Sequence, residues 1–150
     1  MSFGSKKSDD LLNDVFSAYD AAGGVAIVAP TTIPLTLETQ PSSSTFSRAG
    51  SEVTINRDGM YEVVYGVTLI HISGSSRTQA QCWLEMNGVE VPGTRTMMYC
   101  RLANNGASAT MQAFISFSQG DVIRIRGQRT VGGGPIQTLA NGSRLALRRL

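Results

Sequence analysis

From Val25 to Leu150 apolar residues recur at every second position, run after run, with turn-forming residues between the runs. The stretch TINRDGMYEVVYGVTLI, residues 54–70, shows the pattern most clearly. Arg57-Asp58-Gly59 breaks it as a turn. After the turn, Tyr61, Val63, Tyr65, Val67 and Leu69 fall on one face, and Met60, Glu62, Val64, Gly66 and Thr68 on the other. A repeat of two is that of a β-strand, whose successive side chains point to opposite faces. The first face is a core face. The second mixes Met60 and Val64 with Glu62 and Thr68, so it is neither plainly wet nor plainly dry and calls for a cover.

The same reading extends along the chain. QAQCWLEM puts Cys82, Leu84 and Met86 on one face, and Asn87-Gly88 then gives a strong hairpin signal. RTMMYCRL is a further strand. ATMQAFISF aligns Met111, Ala113, Ile115 and Phe117, DVIRIRGQR turns Ile123 and Ile125 inward, and SRLALRRL does the same with Leu145 and Leu147. VAIVAPTTIPLTLET carries Pro30 and Pro34 and reads as an edge strand or an irregular arm. Gly132-Gly133-Gly134-Pro135 reads as a mobile loop. About eight to ten short strands, with no helical run between them, exclude βαβ units and predict an all-β antiparallel sandwich, in particular a jelly roll.

The first 24 residues differ. Ser8 is a suitable N-cap, and Asp9 and Asp10 fit the positive end of a helix dipole. Leu11, Leu12, Val15, Phe16 and Tyr19 then recur at helical spacing until Gly23-Gly24. The expectation is a helical arm over residues 1–24, followed by a sandwich over residues 25–150. Such a helix is marginal alone. It either packs on its own sandwich or docks on a partner through that apolar stripe.

Little here suggests catalysis. The one histidine, His71, lies near a strand end and reads as a surface residue rather than a base. No G-x-S-x-G elbow is present, and a jelly-roll metal site needs several histidines. Asp58 and Asp121 adjoin glycines in turns, where aspartate serves the backbone. The glycine run lacks the lysine and hydroxyl of a phosphate loop. Cys82 and Cys100 read as reduced thiols in or near the core, with a disulfide or metal pair as the alternative. No enzyme activity, cofactor or metal is expected.

Charged residues make up only 16% of the 150 residues, against 41% apolar, and the net charge is +2. Eleven of the thirteen basic residues are arginine. Arg124 and Arg126 share one strand face, and Arg144 and Arg148 another. Three readings apply to them: a solvated face, docking to an acidic protein surface, and, last, nucleic acid, which lacks the interleaved aromatics it would need. No stretch approaches the roughly 20 apolar residues of a membrane helix. The opening MSFGSKKSDD lacks the layout of a secretory signal. Synthesis in a bacterial cytoplasm is expected, with neither membrane nor nucleic acid as partner.

Several motifs occur in a telling order: Gly59 and Tyr61 opening a strand that continues through Val63 and Tyr65, the Asn87-Gly88 hairpin, SQGDVIRI with Gly120-Asp121 starting a strand, and the closing SRLALRRL. From about Val25 to Leu150 the chain thereby resembles the tumour-necrosis-factor-like and complement-globular-head superfamily of jelly rolls. The resemblance implies a tight homotrimer, in which Met60, Val64, Trp83, Tyr99 and Phe114 would be covered by neighbouring subunits. Small free-standing versions resemble bacteriophage virion proteins. The expected function is a trimeric capsid decoration (cement) protein, located on the virion surface, that binds the major capsid protein of a phage head. Leu11, Leu12, Val15, Phe16 and Tyr19 would form its docking arm. The alternative is the receptor-binding knob of a head or tail fibre.

Overall fold

The computed structural model of the chain describes residues 14–40 and 43–150. These form strands β1 (Val15–Tyr19), β2 (Thr31–Thr32), β3 (Leu37–Gln40), β4 (Phe46–Ala49), β5 (Glu52–Ile55), β6 (Gly59–His71), β7 (Thr78–Met86), β8 (Val89–Glu90), β9 (Thr96–Cys100), β10 (Gly106–Phe117), β11 (Val122–Val131), β12 (Ile136–Thr138) and β13 (Arg144–Arg149). The first sheet has the order β10-β6-β13-β1-β3, with β12 also beside β6. The second has the order β4-β5-β11-β7-β8, with β2 on β11 and β9 on β7. Every ladder is antiparallel. Neighbours distant in sequence, such as β1, β13 and β6, are the mark of a jelly roll.

The core lies between the sheets and is filled by the inward positions that the alternation identifies. Tyr61, Val63, Tyr65, Val67 and Leu69 of β6 are buried, as are Cys82 and Leu84, Ile123 and Ile125, and Leu145 and Leu147. Four aromatics from four strands run through one end of it: Phe16–Phe46 at 5.8 Å, Phe46–Tyr61 at 5.8 Å and Tyr61–Phe117 at 5.5 Å between ring centroids. Tilted and edge-on contacts of this kind add to what burial alone contributes. Asn87 and Gly88 take left-handed backbone angles, φ 52° and 83°, and close the β7–β8 hairpin as expected.

The expected N-terminal helix is corrected over the residues described. Val15–Tyr19 is a strand, inserted between β13 and β3. Phe16 and Ala18 point into the core, while Val15, Ser17 and Tyr19 alternate outward. A two-residue repeat was hidden there, because Ser17 and Ala18 give weak signals for either period. The free edge of β13 decides the matter. It supplies a row of backbone partners and a buried place for Phe16, which a short helix cannot match. Gly23 is likewise no hinge to a separate arm: it turns the chain against Ala140, and a Cβ there would lie 2.3 Å from the Ala140 nitrogen. Residues 14–24 therefore belong to the sandwich. Leu11 and Leu12 lie outside the described residues.

Candidate binding surfaces

The outer face of the first sheet answers part of the question posed by Met60 and Val64. β6 and β10 pair along their whole length, with Glu62 opposite Phe114, Val64 opposite Gln112 and Met60 opposite Ser116. Phe114 thus sits diagonally between Met60 and Val64, within reach of both across the ladder. Phe114 is 63% exposed and Met60 46% exposed, unusual for large apolar side chains on a regular sheet. Further along the same face, Ser17, Tyr19, Thr39, Thr68, Ser108, Thr110, Asn141 and Arg144 line an open depression of about 640 Å³. Gly66 forms part of its floor.

The other two expected interface residues lie elsewhere. Trp83 is on the outer face of the second sheet and is buried, with the Arg95 guanidinium 4.5 Å from its ring centroid. Its cover is intramolecular, by a cation–π contact. Tyr99 is exposed on β9, the edge strand of the second sheet that packs beside β10. The five residues therefore do not form one face. Met60, Val64 and Phe114 come together, Tyr99 stands at the adjoining edge, and Trp83 is apart. Of the expected docking arm, Val15, Phe16 and Tyr19 are in β1, and Phe16 is fully buried.

Most of the arginines are engaged within the chain. Arg124 donates to Glu85 at 2.5 Å and reaches Glu52 at 3.2 Å. Arg126 donates to the Thr32 hydroxyl at 2.9 Å, with its Nε 3.6 Å from Glu85. Arg148 pairs with Glu62, and Arg95 with Glu90. The hydrogen bond from Arg95 holds the Glu90 carboxyl below its ordinary range. Arg144, at the depression, has no such partner among the described residues. The exposed pairs Arg148–Glu62 and Arg95–Glu90 contribute about 0–1 kcal/mol each. On the outer face of the second sheet Glu85 and Glu52 pair with Arg124 and Arg126, so these two arginines are engaged within the chain while remaining partly exposed.

Asp58, Asp121, the two cysteines and His71 each have a defined place in the packing. Asp121 accepts from the Ser118 nitrogen and the Asn87 amide, both at 2.8 Å, tying the β10–β11 turn to the β7–β8 hairpin. Asp58 accepts from the Gln119 nitrogen at 2.6 Å. Cys82 and Cys100 are free and buried. Burial pushes the Cys82 thiol up to about 12, and raises that of Cys100 as well. His71 is a correction: it is fully buried, not at the surface. Its Nε2 donates to the Ser76 carbonyl at 2.8 Å, while its Nδ1 has no partner among the described residues. The glycine run is a second correction. Gly134 is buried against His71 and Thr78, whose hydroxyl donates to the Gly134 carbonyl at 3.0 Å. Only a residue without a side chain fits at Gly134, so this one position of the run is packed, while Gly132, Gly133 and Pro135 stay exposed. Nothing in the spacing of GGGP signals this, because the partners are some sixty residues earlier in the chain. Among the described residues no three His, Cys, Asp or Glu side chains gather as metal ligands.

Two antiparallel sheets with this strand order make a jelly-roll sandwich. Solved structures of the tumour-necrosis-factor type resemble it in fold. The crystal structure of murine APRIL at pH 8.5 aligns with a TM-score of 0.58 at 18% identity, over 91% of this chain and 98% of that one. The structure of Eiger TNF from S. frugiperda aligns with a TM-score of 0.59 at 14% identity, over 91% of each chain. These likenesses show the fold. The sequence matches no protein-family model, and no curated protein matches it.

Proposed function

We propose that the chain is a non-enzymatic structural protein that assembles as a homotrimer and decorates the head of a bacteriophage, binding its major capsid protein. The observation that carries the assembly is the exposed Phe114 between Met60 and Val64 on a fully paired sheet face. Stable interfaces of permanent oligomers are apolar and commonly exceed about 2,000 Å² in total, and this face offers a seam for one. The decoration role is supported by the charge-poor composition, by internally paired arginines, and by charged and thiol groups that the fold uses up in turns and core. Because Phe16 is buried in the sandwich, it is not available for the contact with the shell in this reading.

Light scattering after size exclusion is expected to give three times the 16.0 kDa chain mass. Co-sedimentation with undecorated phage heads is expected to retain the protein in the pellet. A monomer at micromolar concentration sinks the trimer, and absence from the pellet sinks the decoration role. The second reading, a receptor-binding knob, is favoured by the hydroxyl-lined depression with its unpaired Arg144. Binding to host cells rather than to heads distinguishes it.

A further inference from the structure

We propose that one end of the sandwich is a docking surface for an anionic lipid surface. Four chain segments meet there: residues 24–30, the β6–β7 loop (72–77), the β9–β10 loop (101–105), and the end of β11 with the β11–β12 connection (131–135). Each carries one aliphatic side chain turned to solvent. Val28 is 52% exposed, Ile72 46%, Leu102 47% and Val131 61%. Isolated exposed aliphatics are ordinary, but four from separate loops at one end of a small domain make a patch that needs explaining.

The charge at this end is one-sided. The four segments contain no aspartate or glutamate, while Arg77 and Arg101 are exposed and have no side-chain hydrogen bond or ion pair among the described residues. The opposite end of the sandwich holds the Asp58 and Asp121 turns. The patch therefore combines apolar projections with unneutralised guanidinium groups, whose planar donors suit phosphate oxygens.

The platform is also braced. The Ala103 nitrogen donates to the Gly74 carbonyl at 3.1 Å, the Ile72 nitrogen to that of Pro135 at 3.0 Å, and the Arg129 nitrogen to that of Val28 at 3.3 Å. Buried His71 and Gly134 lock the same loops from beneath. The four side chains are thus presented together on loops that hold one another.

A lipid headgroup layer fits these features better than a protein partner does. It accepts separate projections without a matching socket for each one. It supplies hydrocarbon for the aliphatics and phosphate for the arginines within one layer. The contact proposed is peripheral; it involves no membrane-crossing segment and does not depend on the capsid reading.

The test is co-sedimentation of the full chain, at low ionic strength, with vesicles of phosphatidylcholine alone or mixed with phosphatidylglycerol. Binding is expected to the mixed vesicles only, and to fall with added salt. Arg77→Gln and Arg101→Gln are each expected to weaken it about fivefold. Ile72→Ser with Leu102→Ser is expected to abolish it, while Val89→Ser, exposed on the far hairpin, leaves it unchanged. All these positions are at the surface, and retained circular dichroism and elution volume show that the variants fold. Failure to bind the mixed vesicles overturns the proposal, and so does binding that ignores the four substitutions. If vesicles are ignored but the same substitutions release the protein from undecorated heads, the end docks on protein. That outcome overturns the lipid proposal and leaves the decoration role standing.

Discussion

Phe16 lies directly opposite Leu147 in the β1–β13 ladder, and both side chains are buried between the sheets. The pairing joins the early part of the chain to its last strand. It makes β1 a core element, with Phe46 5.8 Å from the Phe16 ring. A chain beginning at Val25 lacks β1, leaves β13 and β3 without their shared partner, and opens the core. It is expected not to fold, which circular dichroism and proteolysis will show. Phe16→Ala in the full chain is expected to cost about 3–5 kcal/mol in urea unfolding. If the Val25 chain folds normally, β1 is dispensable and the assignment of Phe16 to the core is wrong.

The Cys82 thiol and the Tyr65 hydroxyl predict alkaline sensitivity. Burial pushes each up to about 12, from 9.0 for a free thiol and 10.0 for a free phenol. The Tyr65 hydroxyl donates toward the Cys82 carbonyl at 3.0 Å and that of Thr94, and neither acceptor tolerates a phenolate. Because the folded chain holds these protons more tightly than the unfolded chain, the stabilisation is complete below about pH 9. It is lost as pH rises toward about 12. The urea midpoint is expected to be level to about pH 9 and then to fall. Cys82→Ala should lower the starting stability yet make the fall shallower. In the native protein Cys82 is expected to resist thiol reagents at pH 8 and to react once urea is added.

Gly134→Ala tests the packed loop junction. A Cβ there would lie 2.1 Å from His71 Nε2, 2.3 Å from the Thr78 hydroxyl and 2.7 Å from the Ser76 carbonyl. Something must move, and each neighbour is hydrogen-bonded in place. Overpacking of this kind costs about 1–3 kcal/mol or more. Gly133→Ala, with open space around it, is expected to change the urea midpoint little. Equal effects at the two positions would contradict the placement of Gly134 against His71.

Phe114→Asp tests the seam on the first sheet. The side chain is 63% exposed in the single chain, so the substitution should leave the fold intact. If Phe114 is buried between subunits, a carboxylate there must be desolvated without a partner, and the trimer is expected to dissociate to a folded monomer. Light scattering measures this directly. A Phe114→Asp protein that keeps its trimer mass places the contact elsewhere.

Much of the fold was legible in the sequence because strand periodicity is a local signal. Each residue of β6, β7, β10, β11 and β13 has a face set by its own parity. Asn87-Gly88 and Gly120-Asp121 mark turns through backbone needs that are likewise local. The cluster of Met60 and Val64 was visible in the same way, as an outer face too apolar to be fully wet.

What tertiary structure alone decided was which distant groups meet. Val15–Tyr19 reads as helix from its spacing, and only the open edge of β13 makes it a strand. Arg124 and Arg126 read as a free cationic face until Glu85 and Glu52 are brought beside them from other strands. Trp83 reads like Phe114 until Arg95 is laid over its ring. His71 and Gly134 look unremarkable until the fold presses them together. Val28, Ile72, Leu102 and Val131 are scattered over more than a hundred positions of sequence and are brought to one end of the sandwich only by the fold. The physical reason is the same throughout. A residue's preference for helix, strand or turn is carried by its near neighbours, whereas burial and charge compensation depend on partners that the chain reaches only after it has closed its long-range ladders.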